Sequence, residues 1–359
     1  MHGWVFAAGV LIILIVLWDA FETTVLPRRV SRRFRLTRIF YRTTWSPFRA
    51  IARGIRPGNP RENFLSVFGP LSLLLLLATW AFSLILGFAL LHWGLGSRLA
   101  MPAGISGFRA DLYLSGTTFF TLGLGDVAPA SGGGRVLTVI EGGMGFGFLA
   151  LVIGYLPVLS QAFSRREATI ALLDARAGSP PTAAELLRRH SYTEGGEALS
   201  ALFQEWERWS AELLESHVSF PVLAYYRSQH DNQSWVAALT TILDVCSLIV
   251  AGVEAAPARD ARLAFAMARH AVVDLARVFN QIPRPPRSDR LPQSELTRLK
   301  QTLAAVGMPL KQDAGVDQHL EHLRQMYEPY VYALAEFLLM PLPAWVPPAG
   351  AKDNWQTTQ

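Results

Sequence analysis

The sequence predicts an all-α membrane protein carrying a helical water-facing domain, and three observations lead there. Three apolar runs long enough to cross a bilayer all lie before residue 163. A shorter apolar stretch sits between the second and third of them and breaks into glycines. Beyond Ser164 the pattern becomes charged and helical, with prolines marking boundaries at Pro180, Pro181, Pro283, Pro285 and Pro286. The averages of 51% hydrophobic and 17% charged residues over 359 positions therefore mix two different regions. The expected organisation is an N-terminal transmembrane helix (1–26), a basic cytoplasmic segment (27–62) and a membrane domain (63–163). A cytosolic helical domain (164–340) and a flexible proline-rich tail (341–359) follow.

The first run, Trp4 to Phe21, is interrupted by Asp19. At 1.5 Å per residue it reaches about 27 Å, enough to cross. A signal peptide fits poorly, because no Lys or Arg precedes the apolar core and the basic cluster follows it. Arg28, Arg29, Arg32, Arg33, Arg35, Arg38, Arg42, Arg49, Arg53, Arg56 and Arg61 come next, with no acidic residue from Pro27 to Arg61. This block predicts a cytoplasmic flank and an N-terminus outside. Contact of the Arg28–Arg61 segment with anionic lipid is the second reading, and nucleic acid is set aside despite a net charge of +5. Asp19 and Glu22, one turn apart beside these arginines, are expected to be neutralised by them.

The second run, Phe64 to Trp93, starts inside and ends outside, where His92 and Trp93 suit the interface. The third, Val136 to Leu159, returns to the cytoplasm ahead of Arg165 and Arg166. Between them Gly107 to Phe120 is helix-like but reaches only about 20 Å, too short to cross. It ends in Thr121-Leu122-Gly123-Leu124-Gly125-Asp126, with Pro129 and Gly132 to Gly134 beyond. Non-helical backbone at membrane depth survives only when buried in protein or lining an aqueous path, so this is a re-entrant loop. Backbone carbonyls can replace the water around a cation without a counter-charge that would trap it. Aiming successive carbonyls at one axis requires alternating backbone handedness, hence glycine at Gly123 and Gly125.

On these residues the segment resembles the potassium-channel pore family. The match runs through T-T-F-F-T-L-G-L-G-D at Thr117 to Asp126, then Pro129 and Gly134-Arg135, then the glycine-bearing helix. It covers about Phe64 to Phe163, less than a third of the chain. The resemblance implies a helix–pore loop–helix ion-channel domain, here with an extra N-terminal span and a C-terminal helical cytosolic domain. It implies K⁺ as the permeant ion, held by the carbonyls of Thr121, Leu122, Gly123 and Leu124 with the Thr121 hydroxyl. No cofactor is expected. Leu124 replaces the usual aromatic between the glycines and removes the ring that bonds behind the filter. One loop per chain then demands four copies, a homotetramer.

Alignment from Arg135 implies a gating hinge at Gly145, and Pro157 can bend the same helix by removing a backbone donor. Close packing through small residues is the alternative for these glycines. Glu141, one turn before Gly145, is a candidate modulatory residue, either supporting the back of the short helix or sensing protons.

Candidate helices of the C-terminal domain are Leu199 to Glu215, Trp235 to Val253, Ala258 to Phe279 and Tyr327 to Leu339. Val236 to Val253 is read as a buried soluble helix because Thr240, Thr241 and Asp244 interrupt it. His319 and His322 read as solvated, and Trp206 and Trp209 as packed. No G-x-G-x-x-G follows a strand, and no nucleophile, paired carboxylates or metal cluster suggests an enzyme. Arginines outside the first span argue against a voltage sensor. A weakly selective cation channel and a non-conducting signalling or scaffolding protein remain the alternatives. Cys246, the one cysteine, excludes an internal disulfide framework. With no long extracellular segments, that favours a prokaryotic plasma membrane.

Overall fold

The computed structural model describes residues 2–24, 26, 35–101, 106–192, 195–230, 232–254, 256–286, 288–311, 313–348 and 350. Arg28, Arg29, Arg32 and Arg33 lie outside them. The chain divides into two compact units, Met1–Phe48 with Pro70–Gln161 and Arg49–Gly69 with Ala162–Gln359.

The first unit holds the membrane elements. Helix α1 (Gly3–Thr24) is followed by α2 (Leu36–Gly54), whose first residues share this unit, by α3 (Asn59–Ser66), which belongs to the second unit, and by α4 (Phe68–Leu95), which lies here from Pro70 onward. The half-length helix α5 (Phe108–Phe119) and the long α6 (Gly132–Ala177) complete the series. Among the described residues three stretches are long and apolar enough to cross a membrane: Gly3–Thr24, Asn59–Leu95 and Gly132–Ala177. The fold is that of an all-α membrane protein, with two two-residue strands, β1 (Leu99–Ala100) and β2 (Ala128–Pro129), paired antiparallel.

Helices α1 and α4 approach through glycine. A methyl group on Gly9 would lie 2.6 Å from the Gly87 carbonyl, and one on Gly94 would lie 2.5 Å from the Phe6 nitrogen. Small residues let membrane helices come this close, where lipid supplies no hydrophobic drive for association. The lower end of α1 is tied by polar groups. Asp19 accepts from Thr37 N at 3.1 Å, Thr37 Oγ1 at 2.6 Å and Trp80 Nε1 at 3.1 Å. The expected arginine neutralisation holds for Glu22, 3.4 Å from Arg35 Nε; for Asp19 the arginines at 28, 29, 32 and 33 lie outside the described residues. Asp19 is only 3% exposed, and its partners among the described residues are these neutral donors.

The second unit begins with residues 49–69, which fold with the C-terminal region. Arg49 Nη2 donates to the Glu336 carbonyl at 2.8 Å, Glu62 lies 3.4 Å from Arg227, and Phe68 meets Tyr225 at 5.2 Å between ring centroids. Helix α7 (Ala183–Arg189) is capped by the Thr182 side chain, and α8 (Gly195–Ser219), α9 (Trp235–Ala251) and α10 (Ala258–Val278) form the core. Helix α9 is buried nearly throughout, as expected of a core helix. Helices α11 (Gln293–Ala305), α12 (Ala314–Gln325) and α13 (Glu328–Leu338) close the unit.

Asp244 on α9 accepts from Arg290 and from Tyr327, and Arg290 and Arg324 both meet Glu328. Their guanidiniums face the Trp345 ring at 5.6 and 5.7 Å. The flexible tail expected from residue 341 is corrected for 341–348. Trp345 is 1% exposed, and its carbonyl accepts from Ala184 N at 3.0 Å. A buried indole held by two arginines cannot be a free end.

Candidate ion pathway

Helix α5 spans 12 residues, about 18 Å, so it enters the membrane unit without crossing. Gly107 opens it with φ 67°, and Phe120 ends it by donating to the Gly116 carbonyl. Next, Thr121 N donates to Thr118 O at 2.9 Å and Leu122 N to Thr117 O at 2.8 Å. These bonds satisfy the last-turn carbonyls, and the partly negative helix end stands beside Thr121.

From Thr121 the backbone alternates. Thr121, Gly123 and Gly125 have φ of 57°, 55° and 76°, while Leu122 and Leu124 between them do not share the left-handed region. Glycine accepts that region freely; a β-branched threonine there is strained, a feature that clusters at functional sites. Among the described residues no hydrogen bond ends on the carbonyls of residues 121 to 125. All six residues from Thr121 to Asp126 are exposed in the single chain, Leu122 at 60% and Leu124 at 63%. Five consecutive carbonyls without a donor, on a backbone of alternating handedness, form a surface able to coordinate a cation.

The far end of this segment, away from α5, is held by its neighbours. Tyr113 on α5 donates its hydroxyl to Asp126 Oδ2 at 2.9 Å. Leu99 pairs with Pro129 and Ala100 with Ala128, while Arg135 Nε donates to Pro129 O at 3.3 Å. Thr121 Oγ1 donates to Phe120 O at 2.7 Å, which leaves its oxygen lone pairs available.

Behind α5 lies a fully buried polar cluster. Ser115 Oγ reaches the Ile85 carbonyl at 2.7 Å and also hydrogen-bonds the Glu141 carboxyl. His92 Nε2 lies 3.7 Å from Glu141 Oε2, and His92, Ser115 and Glu141 are all 0% exposed. Glu141 therefore touches the back of the half-length helix, one of its two expected positions. His92, expected at the outer interface, is instead inside, because α4, α5 and α6 converge on it; Trp93 keeps a half-exposed place against Phe108.

Gly145 faces the end of α5: a methyl group there would stand 2.0 Å from the Phe119 carbonyl oxygen. Pro157 sits within α6 without ending it, and the helix continues to Ala177. The Tyr113–Asp126 bond, the approach of His92 to Glu141 and the Gly9–Gly87 crossing were not anticipated. The Gly-rich spacing of α1 against α4 is the one sequence signal that could have pointed to the last. In the second unit, His319 and His322 are exposed, and among the described residues no group of three ligating side chains could hold a metal. Trp206 and Trp209 pack on each other at 4.6 Å.

A half-length helix, a non-helical carbonyl-bearing strand and two flanking apolar helices are what this segment brings together. Residues 73–159 match the family model described as ion channel, and the chain carries an ion-channel domain there. Over 195 residues it is 26% identical to "Uncharacterized membrane protein YdjJ" of Bacillus subtilis (strain 168), covering 53% of this chain and 55% of that relative. The chain thus spans about half the length of that relative. No solved structure matches it.

Proposed function

We propose that the chain is one subunit of a homotetrameric potassium channel of the plasma (cell inner) membrane. The start of α1 lies outside and the second unit lies in the cytoplasm. The carbonyls of Thr121, Leu122, Gly123 and Leu124, with the Thr121 hydroxyl, carry K⁺, while Gly125 and Asp126 close the outer end. The observation that supports this most is the run of five donor-free carbonyls alternating in backbone handedness at the end of α5. Carbonyl dipoles from four copies supply a cage without fixed counter-charge. Assembly is supported by α6, whose spanning window is 11% buried within the chain against 56% for the second span. An inner helix left that bare suits a central position among copies.

Gly145 and Pro157 are the bending points of α6 in this reading, and Glu141 modulates the filter through Ser115. The arginine-rich segment contacts anionic headgroups. A weakly selective cation channel is the second reading, favoured by Leu124, which offers no hydrogen-bonding ring behind the strand.

The test is recording of the purified full chain in planar bilayers under bi-ionic K⁺ and Na⁺ gradients, with K⁺ flux in liposomes. The expected result is a reversal potential set by K⁺ and loss of flux in Gly123→Ala, whose φ of 55° no alanine adopts without strain. Equal K⁺ and Na⁺ permeability would establish the second reading. Absence of flux would leave a non-conducting membrane protein.

A further inference from the structure

The second unit contains a cavity of about 610 Å³ that the ion pathway does not use, lined by Arg61, Arg284, Pro286, Tyr332, Glu336 and Leu342 among others. Its volume is in the range of small-molecule sites. Two cations of different origin line it: Arg61 comes from α3 and Arg284 from the loop after α10, where Arg284 N is fixed to Pro329 O at 3.3 Å. Among the described residues Arg61 Nε is buried without a hydrogen-bond partner, and a buried donor left unbonded is costly.

The one carboxylate of the lining, Glu336, faces Arg53 at 4.0 Å, and its backbone carbonyl is taken by Arg49. The surroundings are otherwise electropositive. Burial, then Arg53 and Arg284, hold Arg49 below its usual range. Burial likewise brings Arg227 down to about 10, with Arg61 adding to the fall and Glu62 opposing it. The remaining walls are mainly apolar, made by prolines, Leu342 and the Tyr332 ring, with Ser288 among them.

We propose that this cavity binds a phosphate monoester carrying an apolar body, its phosphate held between Arg61 and Arg284 and its body against Pro286, Tyr332 and Leu342. Guanidinium forks match phosphate oxygens in pairs, and two of them from separate elements favour a doubly charged anion over a carboxylate. A cavity this large exceeds inorganic phosphate alone, so the apolar walls demand an organic group. That group is either the tail of an acidic phospholipid or the body of a soluble phosphate ester.

Binding to the purified full chain in neutral detergent is measured by isothermal titration calorimetry. The probes are dioctanoyl phosphatidic acid, phenyl phosphate and, as a zwitterionic control, dioctanoyl phosphatidylcholine. At least one phosphate monoester binds, the phosphatidylcholine does not, and Arg61→Gln or Arg284→Gln weakens binding at least tenfold, about 1.4 kcal/mol. Phosphatidic acid alone assigns the site to lipid; phenyl phosphate assigns it to soluble esters. Arg284 is exposed, so its variant keeps the fold, and Arg208→Gln, on the exposed face of α8, leaves binding unchanged. No binding by either monoester up to about 1 mM, or equal binding in both arginine variants, overturns the proposal. Binding is read without conduction, so the result is independent of the filter.

Discussion

Gly145→Ala separates a packing role from a hinge role in α6. The alanine methyl would stand 2.0 Å from the Phe119 carbonyl oxygen, 2.8 Å from its carbon and 3.0 Å from its Cα. Ordinary contact begins near 3.4 Å, so α6 and the end of α5 must separate by about 1.4 Å. The obstacle is backbone and cannot swing away. Overpacking of this kind costs about 1–3 kcal/mol. Gly143→Ala is the matched control, because a methyl there meets nothing within 4 Å and gains the same helix propensity, about 1 kcal/mol. The two variants should therefore differ by about 1–3 kcal/mol in stability, read by thermal unfolding of the purified chain in detergent. Phe119 lies two residues before Thr121, so the same displacement should reach the carbonyl strand and lower K⁺ over Na⁺ discrimination in bi-ionic recordings. A hinge alone predicts unchanged stability with altered open probability. If Gly145→Ala and Gly143→Ala unfold alike and conduct alike, the close approach of α6 to α5 is not what holds the strand in place.

Two further outcomes follow from other parts of the molecule. Tyr113→Phe removes the 2.9 Å bond to Asp126 and should weaken the outer end of the strand by about 1 kcal/mol; the check is a double-mutant cycle with Asp126→Asn on flux, and strict additivity would exclude the bond as a support. His217, buried first by its surroundings and then disfavoured by Arg166, is held well below the usual imidazole range. Its Nδ1 lies 2.9 Å from the Leu213 carbonyl and its Nε2 3.3 Å from the Arg166 guanidinium, an arrangement that suits the neutral ring. The unfolded chain accepts a proton that the folded chain refuses, so this contribution is intact above about pH 6.5 and falls by about 1.4 kcal/mol per pH unit below it. Thermal unfolding between about pH 7.5 and 5.5 should show a steeper loss in the natural protein than in His217→Gln, and equal slopes would remove His217 as the cause.

Much of the membrane unit was legible because lipid imposes simple rules. Three apolar runs predicted three spans, and a run too short to cross, broken by glycines, predicted the re-entrant helix that α5 forms. What sequence could not supply was which polar groups meet across helices. Asp19 lies among arginines along the chain, yet Thr37 and Trp80 satisfy it, because partners 18 and 61 residues away are set by packing. His92 looked interfacial by its position at a helix end, and only the convergence of α4, α5 and α6 reveals it as buried. Trp345 stood in a proline-rich stretch with no periodicity, and its burial depends on Arg290 and Arg324, distant arginines no local pattern connects. The cavity beside Arg61 was invisible for the same reason, since its two arginines lie more than two hundred residues apart.

The carbonyl strand makes the strongest physical demand in the molecule. In hydrocarbon an unsatisfied backbone carbonyl costs several kcal/mol, and here five in succession receive no bond from the described residues. Continuing α5 as a helix would have satisfied them, but Thr121 at φ 57° and the glycines at 123 and 125 turn the backbone away from that solution. The bonds of Leu122 N and Gly123 N to Thr117 O fix the donors of the strand to the helix end while leaving its acceptors bare. A chain that spends strain to keep acceptors free at membrane depth must present them to water or to a cation. Lipid could cover the exposed leucines at no cost, but it cannot serve the carbonyls. The proposed aqueous, cation-bearing path therefore rests on the backbone more than on the Leu122 and Leu124 side chains.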